Sequence, residues 1–97
     1  PVTINVPTWP EYGSLSVFDA DTDNVYAGSL DARLPGAAGV RTLVVALDGQ
    51  EAAVPEGADL VTVEKPEALA LIRRLAPTQG LYDAASALMP ASTCGPA

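Results

Sequence analysis

The residues with the most obvious chemical potential are three aspartates at alternate positions, Asp19, Asp21 and Asp23. Such spacing is typical of calcium-binding loops. An EF-hand loop that began at Asp19 would need glycine sixth and glutamate twelfth, where this chain has Asn24 and Leu30. We therefore predict a solvated turn and no metal site. Carboxylates in a row on an extended chain could also mimic a row of phosphates, which makes the three aspartates candidate interaction residues.

The other groups that could take part in catalysis lack partners in the sequence. There is no histidine, the commonest general base at neutral pH, and the single cysteine, Cys94, cannot form an internal disulfide. Pro1 resembles the amino-terminal proline that acts as a base in tautomerases, so a small enzyme using this amine is one alternative. That family continues with a strand and a long helix, whereas Pro7 and Pro10 follow here. We predict a protein that is not an enzyme, with no catalytic residue and no cofactor.

Composition and charge restrict the class of partner. The net charge is −7, from 12 acidic and 5 basic side chains, which argues against binding to nucleic acid or to an anionic membrane. The chain is 48% hydrophobic, and a domain of this size has difficulty in burying so much apolar surface alone. We therefore expect protein partners, including copies of the chain. Without a signal peptide or a membrane-spanning run, we expect it in the cytoplasm or in a particle assembled from cytoplasmic components.

The stretch Val40–Gly49 is the most apolar part of the chain and predicts its central strand. Side chains alternate along a strand, so that Val44 and Ala46 face away from Leu43 and Val45. Both faces are apolar, which is typical of a strand covered on both sides. Because a short chain offers little to cover the second face, Val44 and Ala46 are candidate interaction residues.

The segments before the central strand read as extended structure. Polar and apolar residues alternate over 2–6, which predicts a half-buried strand. Trp9 and Tyr12 lie in the proline-rich loop that follows; Trp9 is either a lid over the core or an anchor for a partner, and both are candidate interaction residues. Residues 14–30 predict a hairpin, and residues 31–39 predict a loop.

The segments after the central strand predict one short strand, Asp59 to Glu64, and then two helices. Pro66 is well placed to open the first helix, and the arginine pair Arg73-Arg74 suits its last turn. Thr78 can cap the second helix, from Gly80 to Met89. The predicted fold is therefore α+β: a small, mostly antiparallel sheet of about five strands followed by two C-terminal helices packed on one face.

The predicted domain covers residues 1–90, and residues 91–97 form a C-terminal tail or arm. A mixed sheet, in which Asp59 to Glu64 pairs parallel to the central strand, is the alternative. The leading functional hypothesis is a non-enzymatic structural or interaction protein, a subunit of a larger homo- or hetero-oligomeric assembly such as a virion or another particle. The alternative is a small acidic inhibitor or immunity-type protein that covers a basic site on a partner.

Overall fold

The computed structural model describes residues 1–34 and 39–96. Positions 35–38 of the predicted loop and Ala97 of the predicted tail lie outside this part of the chain. The described residues form seven strands, one α-helix and one short 3₁₀ helix at Met89–Ala91. In chain order, the strands and the α-helix are β1 (Val2–Pro7), β2 (Gly13–Asp19), β3 (Asn24–Ser29), β4 (Val40–Leu47), β5 (Asp59–Val63), β6 (Ala68–Arg74), α1 (Gln79–Leu88) and β7 (Thr93–Pro96).

The strands form two sheets. The first sheet has the order β5-β4-β1-β7, and the second has the order β3-β2-β6. All pairs are antiparallel except β4 with β5, which run parallel, as the mixed-sheet alternative predicted. The predicted hairpin is confirmed as β2 and β3. The segment predicted as a tail contributes β7, which pairs with β1 at the edge of the first sheet, so that Cys94 lies opposite Ile4.

The predicted α+β fold with two C-terminal helices is wrong, because the chain is mostly β. The first of those helices is instead strand β6, which pairs with the free side of β2 over its whole length. The register with β2 places Ala70 and Ile72 on the same side of the sheet as the buried Val17 and Leu15, and it places Leu69 and Leu71 on the opposite side. Pairing with β2 therefore overrides the helix preference of alanine, leucine and arginine.

The second C-terminal helix is confirmed as α1. The Thr78 hydroxyl accepts a hydrogen bond from the Leu81 backbone N–H at 3.2 Å, which is the predicted N-cap. None of the helices in residues 1–34 and 39–96 has the length and apolar character needed to cross a membrane.

The core lies between the two sheets. Strands β1, β2, β4 and β5 and the residue after β3 contribute the buried side chains, and burying each one contributes about 1.5–3 kcal/mol relative to leaving it exposed. The resulting cluster is aliphatic throughout, and it consists of Ile4, Val6, Leu15, Val17, Leu30, Leu43, Val45, Val61 and Val63.

Candidate functional site

Two sheets packed face to face leave two long sides, which differ in this molecule. On one side β3 lies beside β5, and we call this the closed seam; its polar residues are Tyr26, Arg41 and Asp59. On the other side β6 lies opposite β7, and we call this the open seam; two cavities open there, one beside Arg74 and one beside Cys94. The closed seam is held by polar contacts, whereas the open seam exposes part of the apolar interior.

At the closed seam, three side chains join the two sheets. The Tyr26 hydroxyl donates a hydrogen bond to Asp59 Oδ2 at 2.8 Å, and Arg41 Nη2 donates to the same oxygen at 2.6 Å. Arg41 Nε donates to the Tyr26 hydroxyl at 3.1 Å, and Arg41 Nη1 donates to the Ser29 carbonyl at 3.3 Å. Because Tyr26 lies on β3 and the other two lie on β4 and β5, the cluster ties the second sheet to the first.

The protonation states at the closed seam favour this structural role. Burial, followed by the hydrogen bond to Asp59, raises the pKa of the Tyr26 phenol above its ordinary value, so Tyr26 remains a donor at neutral pH. Burial by itself would lower the pKa of Arg41, but its contacts with Tyr26 and Asp59 raise it on balance. All three groups are engaged with one another. The geometry therefore gives a clasp between the sheets, and it offers no separate acid and base.

Gly28 makes room for this clasp. A Cβ atom added there would lie 2.5 Å from the Tyr26 hydroxyl oxygen and 3.1 Å from Arg41 Nε. Real Cβ atoms are not found so close to another heavy atom, so a side chain at this position would displace the phenol. The absence of a side chain at Gly28 is thus part of how the seam closes.

At the open seam, the larger cavity has a volume of about 310 Å³. It lies between the end of β6 and the helix that follows it. Its walls are mostly apolar, with one cation and two hydroxyl-bearing serines, and its lining residues are Ile72, Arg74, Ala76, Tyr82, Ala85, Ser86, Met89 and Ser92. A cavity of this composition, apolar with a few polar groups, is typical of small-molecule sites.

Arg74 is the charged group of that cavity. Its Nη2 donates to the Pro7 carbonyl at 3.3 Å. Within residues 1–34 and 39–96, both Arg74 Nε and the Ser92 hydroxyl are buried and have no hydrogen-bond partner. Burial lowers the pKa of the Arg74 guanidinium, which nevertheless stays protonated at neutral pH. The cavity therefore presents a partly desolvated cation with unused donor capacity.

The smaller cavity, of about 150 Å³, lies further along the open seam. It reaches the aliphatic core between the sheets, and Cys94 of β7 and Ala68 and Ala70 of β6 lie at its rim. The thiol of Cys94 is exposed. No cluster of side chains suited to holding a metal ion occurs in residues 1–34 and 39–96.

A third feature is the outward side of the second sheet, which we call the outer face. The cross-strand register places on it Ser14, Ser16, Phe18, Asn24, Ala27, Ser29, Leu69, Leu71 and Arg73, and Val25 lies beside Asn24 at the irregularity in the β2–β3 register. Leu69 is 62% exposed and Val25 is 36% exposed. None of these side chains is acidic, although the chain as a whole has a net charge of −7.

The structure gives the carboxylates of two of the three predicted aspartates, Asp19 and Asp21, contacts within the chain. The Asp19 carboxylate accepts hydrogen bonds from the backbone N–H groups of Asp21 and Asp23 at 2.9 and 3.0 Å. Asp21 forms an ion pair with Lys65 at 3.4 Å. Thr22, between them, adopts a left-handed conformation with φ of 65°. The carboxylate of Asp19 thus closes the hairpin turn, and this turn is the arrangement that brings the aspartates together.

The other predicted site residues lie apart from one another. Trp9 is buried, and its Nε1 donates a hydrogen bond to the Leu75 carbonyl at 2.8 Å. This bond fixes the segment that follows β6, so Trp9 acts as a lid. Tyr12 is exposed. Val44 and Ala46 are buried by the chain itself, so their side chains offer no surface to a partner.

The sequence placed Arg74 beside Arg73 at the end of a helix, where the pair either clamps an anion or complements the helix dipole, and it gave no sign of the closed-seam cluster. In such a helix both arginines would lie near the polar side. In a strand, neighbouring side chains point to opposite faces, so Arg73 belongs to the outer face and Arg74 to the open seam. Residues 68–72 are all apolar and the two arginines are adjacent, so no alternation of polar and apolar residues marks this segment as a strand. Tyr26, Arg41 and Asp59 are distant in sequence and carry no local motif.

Comparison with known proteins gives a family and a fold. Residues 1–96 match the family described as "Protein of unknown function (DUF1254)". Among solved structures, the chain is similar to the VPA0106 protein from Vibrio parahaemolyticus, with a TM-score of 0.77 and 22% sequence identity over 97% of this chain and 24% of that chain. The chain therefore spans about a quarter of the length of that protein. None of the curated proteins compared with the chain matches it. The match over residues 1–96 shows that the chain belongs to the DUF1254 family.

Proposed function

We propose that this domain is a non-enzymatic interaction module, which packs through the outer face of its second sheet against a different protein surface within a larger assembly. The observation that carries the proposal is the exposure of large apolar side chains on a face without acidic groups. An antiparallel sheet with one side in water normally presents polar residues on that side. Leu69 and Val25 depart from this pattern as exposed side chains, and Phe18 and Leu71 depart from it as half-buried ones.

The charge distribution supports a partner other than a second copy. Each chain has a net charge of −7, so two copies repel one another at long range. On the outer face itself the charged side chain is Arg73, at one end of the sheet. A partner surface that is apolar, with a carboxylate near its margin, would bury Leu69 and pair with Arg73 without meeting repulsion.

The edge of the second sheet adds to the same surface. Strand β6 has β2 on one side, and its other side is the edge of the sheet. Exposed edges with apolar side chains are places where another chain can pair, and proteins commonly cover them. The similar domain of VPA0106 lies within a chain about four times as long. By analogy, this domain is suited to being covered by another part of a larger structure.

The alternative of an acidic inhibitor draws less support from the geometry. That hypothesis rests on the net charge of −7 together with the run Asp19, Asp21 and Asp23. Asp19 is engaged with the backbone of its own turn, and Asp21 is engaged with Lys65. Two of the three carboxylates are therefore already engaged within the chain, which leaves a smaller acidic surface for a basic partner to meet.

The experiment is native mass measurement of the chain purified from its source cells, as wild type and as two variants. Leu69→Lys places a charge at the most exposed apolar side chain of the outer face. Leu60→Lys is the matched control, because Leu60 is an exposed leucine on an edge strand of the first sheet. We expect the wild type and Leu60→Lys to be in a complex, and Leu69→Lys to be free. The proposal is wrong if the wild-type chain is strictly monomeric and bound to no larger particle. It is also wrong if the Leu69→Lys variant remains in the complex.

A further inference from the structure

We infer that the open-seam cavity beside Arg74 is a binding site for a small organic carboxylate with a compact apolar body. This site is separate from the outer face and does not depend on the proposed interaction module. Three features of the described chain carry the inference: an unpaired cation, unused hydrogen-bond donors and apolar walls of suitable volume.

The first feature is the state of Arg74. Three of the other basic side chains pair with carboxylates: Arg33 with Asp31, Arg41 with Asp59 and Lys65 with Asp21. Arg74 is partly buried, yet within residues 1–34 and 39–96 no carboxylate forms an ion pair with it.

A partly desolvated cation without a counter-ion is energetically unfavourable. The chain has 12 acidic side chains against 5 basic ones, so carboxylates that could pair with Arg74 are plentiful in the sequence. Arg73, by contrast, is exposed, and water solvates it. An anion that enters the cavity would supply the missing charge of Arg74.

The second feature is the pair of unused polar groups. Arg74 Nε and the Ser92 hydroxyl are both buried and have no hydrogen-bond partner in the described chain. A buried polar group without a hydrogen bond is unfavourable because it has lost its contacts with water, and such groups are rare in folded proteins. A carboxylate has two oxygens and can accept from a guanidinium and a hydroxyl together. Its binding would offset both costs at once.

The third feature is the shape and chemistry of the walls. Ile72, Ala76, Ala85 and Met89 are apolar, and Tyr82 adds an aromatic ring. Tyr82 and Met89 are 60% and 67% exposed, so both would gain burial against a ligand. The volume of about 310 Å³ is at the lower end of the range for small-molecule sites, which selects a compact ligand.

The same walls select the charge of the ligand. The lining contains one cation and no acidic side chain, so a single negative charge is balanced there and is not repelled. A phosphate monoester carries up to two charges and would leave one unpaired. An amine would meet Arg74 with the same sign of charge. A monocarboxylate is therefore the anion that fits.

The test uses the 97-residue chain and phenylacetate as the probe, followed by two-dimensional NMR of the backbone amides. We expect saturable shifts confined to residues around α1 and the end of β6, with a Kd on the order of 1 mM or lower. Phenylacetamide and phenethylamine, which keep the ring but replace the carboxylate, should bind at least about tenfold more weakly. Shifts that do not saturate, or equal binding of the amide, would overturn the assignment.

Two pairs of variants locate the site. Arg74→Met should weaken phenylacetate binding at least about tenfold, whereas Arg73→Met, its neighbour on the other side of the strand, should leave the Kd within about twofold. Equal losses in both variants would show attraction to general positive charge and would overturn the site. Ala85→Phe fills the cavity without altering Arg74 and should abolish binding. Its control is Ala84→Phe, an adjacent exposed helix position, which should bind as the wild type does.

A glutamate or aspartate side chain of another protein is the alternative source of a carboxylate for this cavity. A peptide that carries one glutamate between alanines, with blocked ends, serves as the comparison in the same titration. We expect it to bind more weakly than phenylacetate, because it lacks the apolar body. Tighter binding of the peptide would overturn the assignment of a small-molecule ligand.

Discussion

The two seams of the sandwich solve the same packing problem in opposite ways. Each has an arginine at the junction of the sheets: Arg41 at the closed seam and Arg74 at the open seam. Arg41 meets a carboxylate and a phenol that come from other strands, and its hydrogen bonds draw β3 against β5. Arg74 meets a backbone carbonyl and the walls of a cavity. The difference separates a cation that serves the fold from a cation that remains available to a ligand.

The largest expected effect concerns the contact that secures the open seam. Trp9 is 2% exposed, and its Nε1 donates a hydrogen bond to the carbonyl of Leu75, the residue after Arg74. Trp9→Ala would leave a large void and an unpaired carbonyl, so we expect a loss of about 3–5 kcal/mol in the free energy of unfolding, measured in urea. Tyr12→Ala removes an exposed aromatic side chain from the same loop and should cost less than about 1 kcal/mol. Similar losses in the two variants would contradict the role of Trp9 as a lid.

A moderate effect is expected from crowding the closed seam. Gly28→Ala places a methyl group against the Tyr26 hydroxyl and should break its bond to Asp59, with a loss of about 1–3 kcal/mol in the free energy of unfolding. Gly80→Ala is the control, because nothing lies within 4 Å of a Cβ at that helical position. It should leave stability unchanged or slightly raised. If Gly28→Ala were as stable as Gly80→Ala, the clasp would not be holding the sheets.

The smallest effect is a dependence on alkaline pH. The folded state raises the pKa of Tyr26 above its ordinary value of 10.0, so folding favours the protonated phenol. This contribution to stability is fully present below pH 10 and is lost as the pH rises through the raised pKa of the folded state. The wild type should therefore lose stability in this range more steeply than Tyr26→Phe, as measured by thermal unfolding at a series of pH values. Identical slopes for the two proteins would mean that Tyr26 titrates freely.

Much of the fold follows from local sequence patterns. The hairpin of β2 and β3, the strand at 40–47 with both faces buried, and the capped helix α1 each have a pattern confined to adjacent residues. The parallel pairing of β5 with β4 was only the alternative prediction, because the sequence of a short apolar strand does not show which strand it pairs with. These elements could be predicted because local propensity and the final fold agree.

The elements that were missed depend on contacts between distant residues. Residues 66–74 contain good helix formers and begin with a proline, so that local preference favours a helix. The free side of β2 supplies the hydrogen bonds that make this segment a strand instead, and no local pattern shows that side to be free. Arg74 lies beside the cavity because neighbouring side chains of a strand point to opposite sides. A helix predicted over the same residues could not give this position. At the closed seam, Asp59 contacts Arg41, which is 18 positions away in the sequence, and Tyr26, which is 33 positions away.

The measurement that bears most directly on the contrast between the seams is a pair of unfolding experiments on Arg41→Met and Arg74→Met. Both substitutions keep an unbranched apolar side chain and remove the charge. We expect Arg41→Met to lose about 1–2 kcal/mol, because Asp59 and Tyr26 lose their partner, and Arg74→Met to change by less than about 0.5 kcal/mol or to gain stability. Equal losses in the two variants, or a larger loss for Arg74→Met, would contradict the division between a structural seam and a ligand-accessible seam.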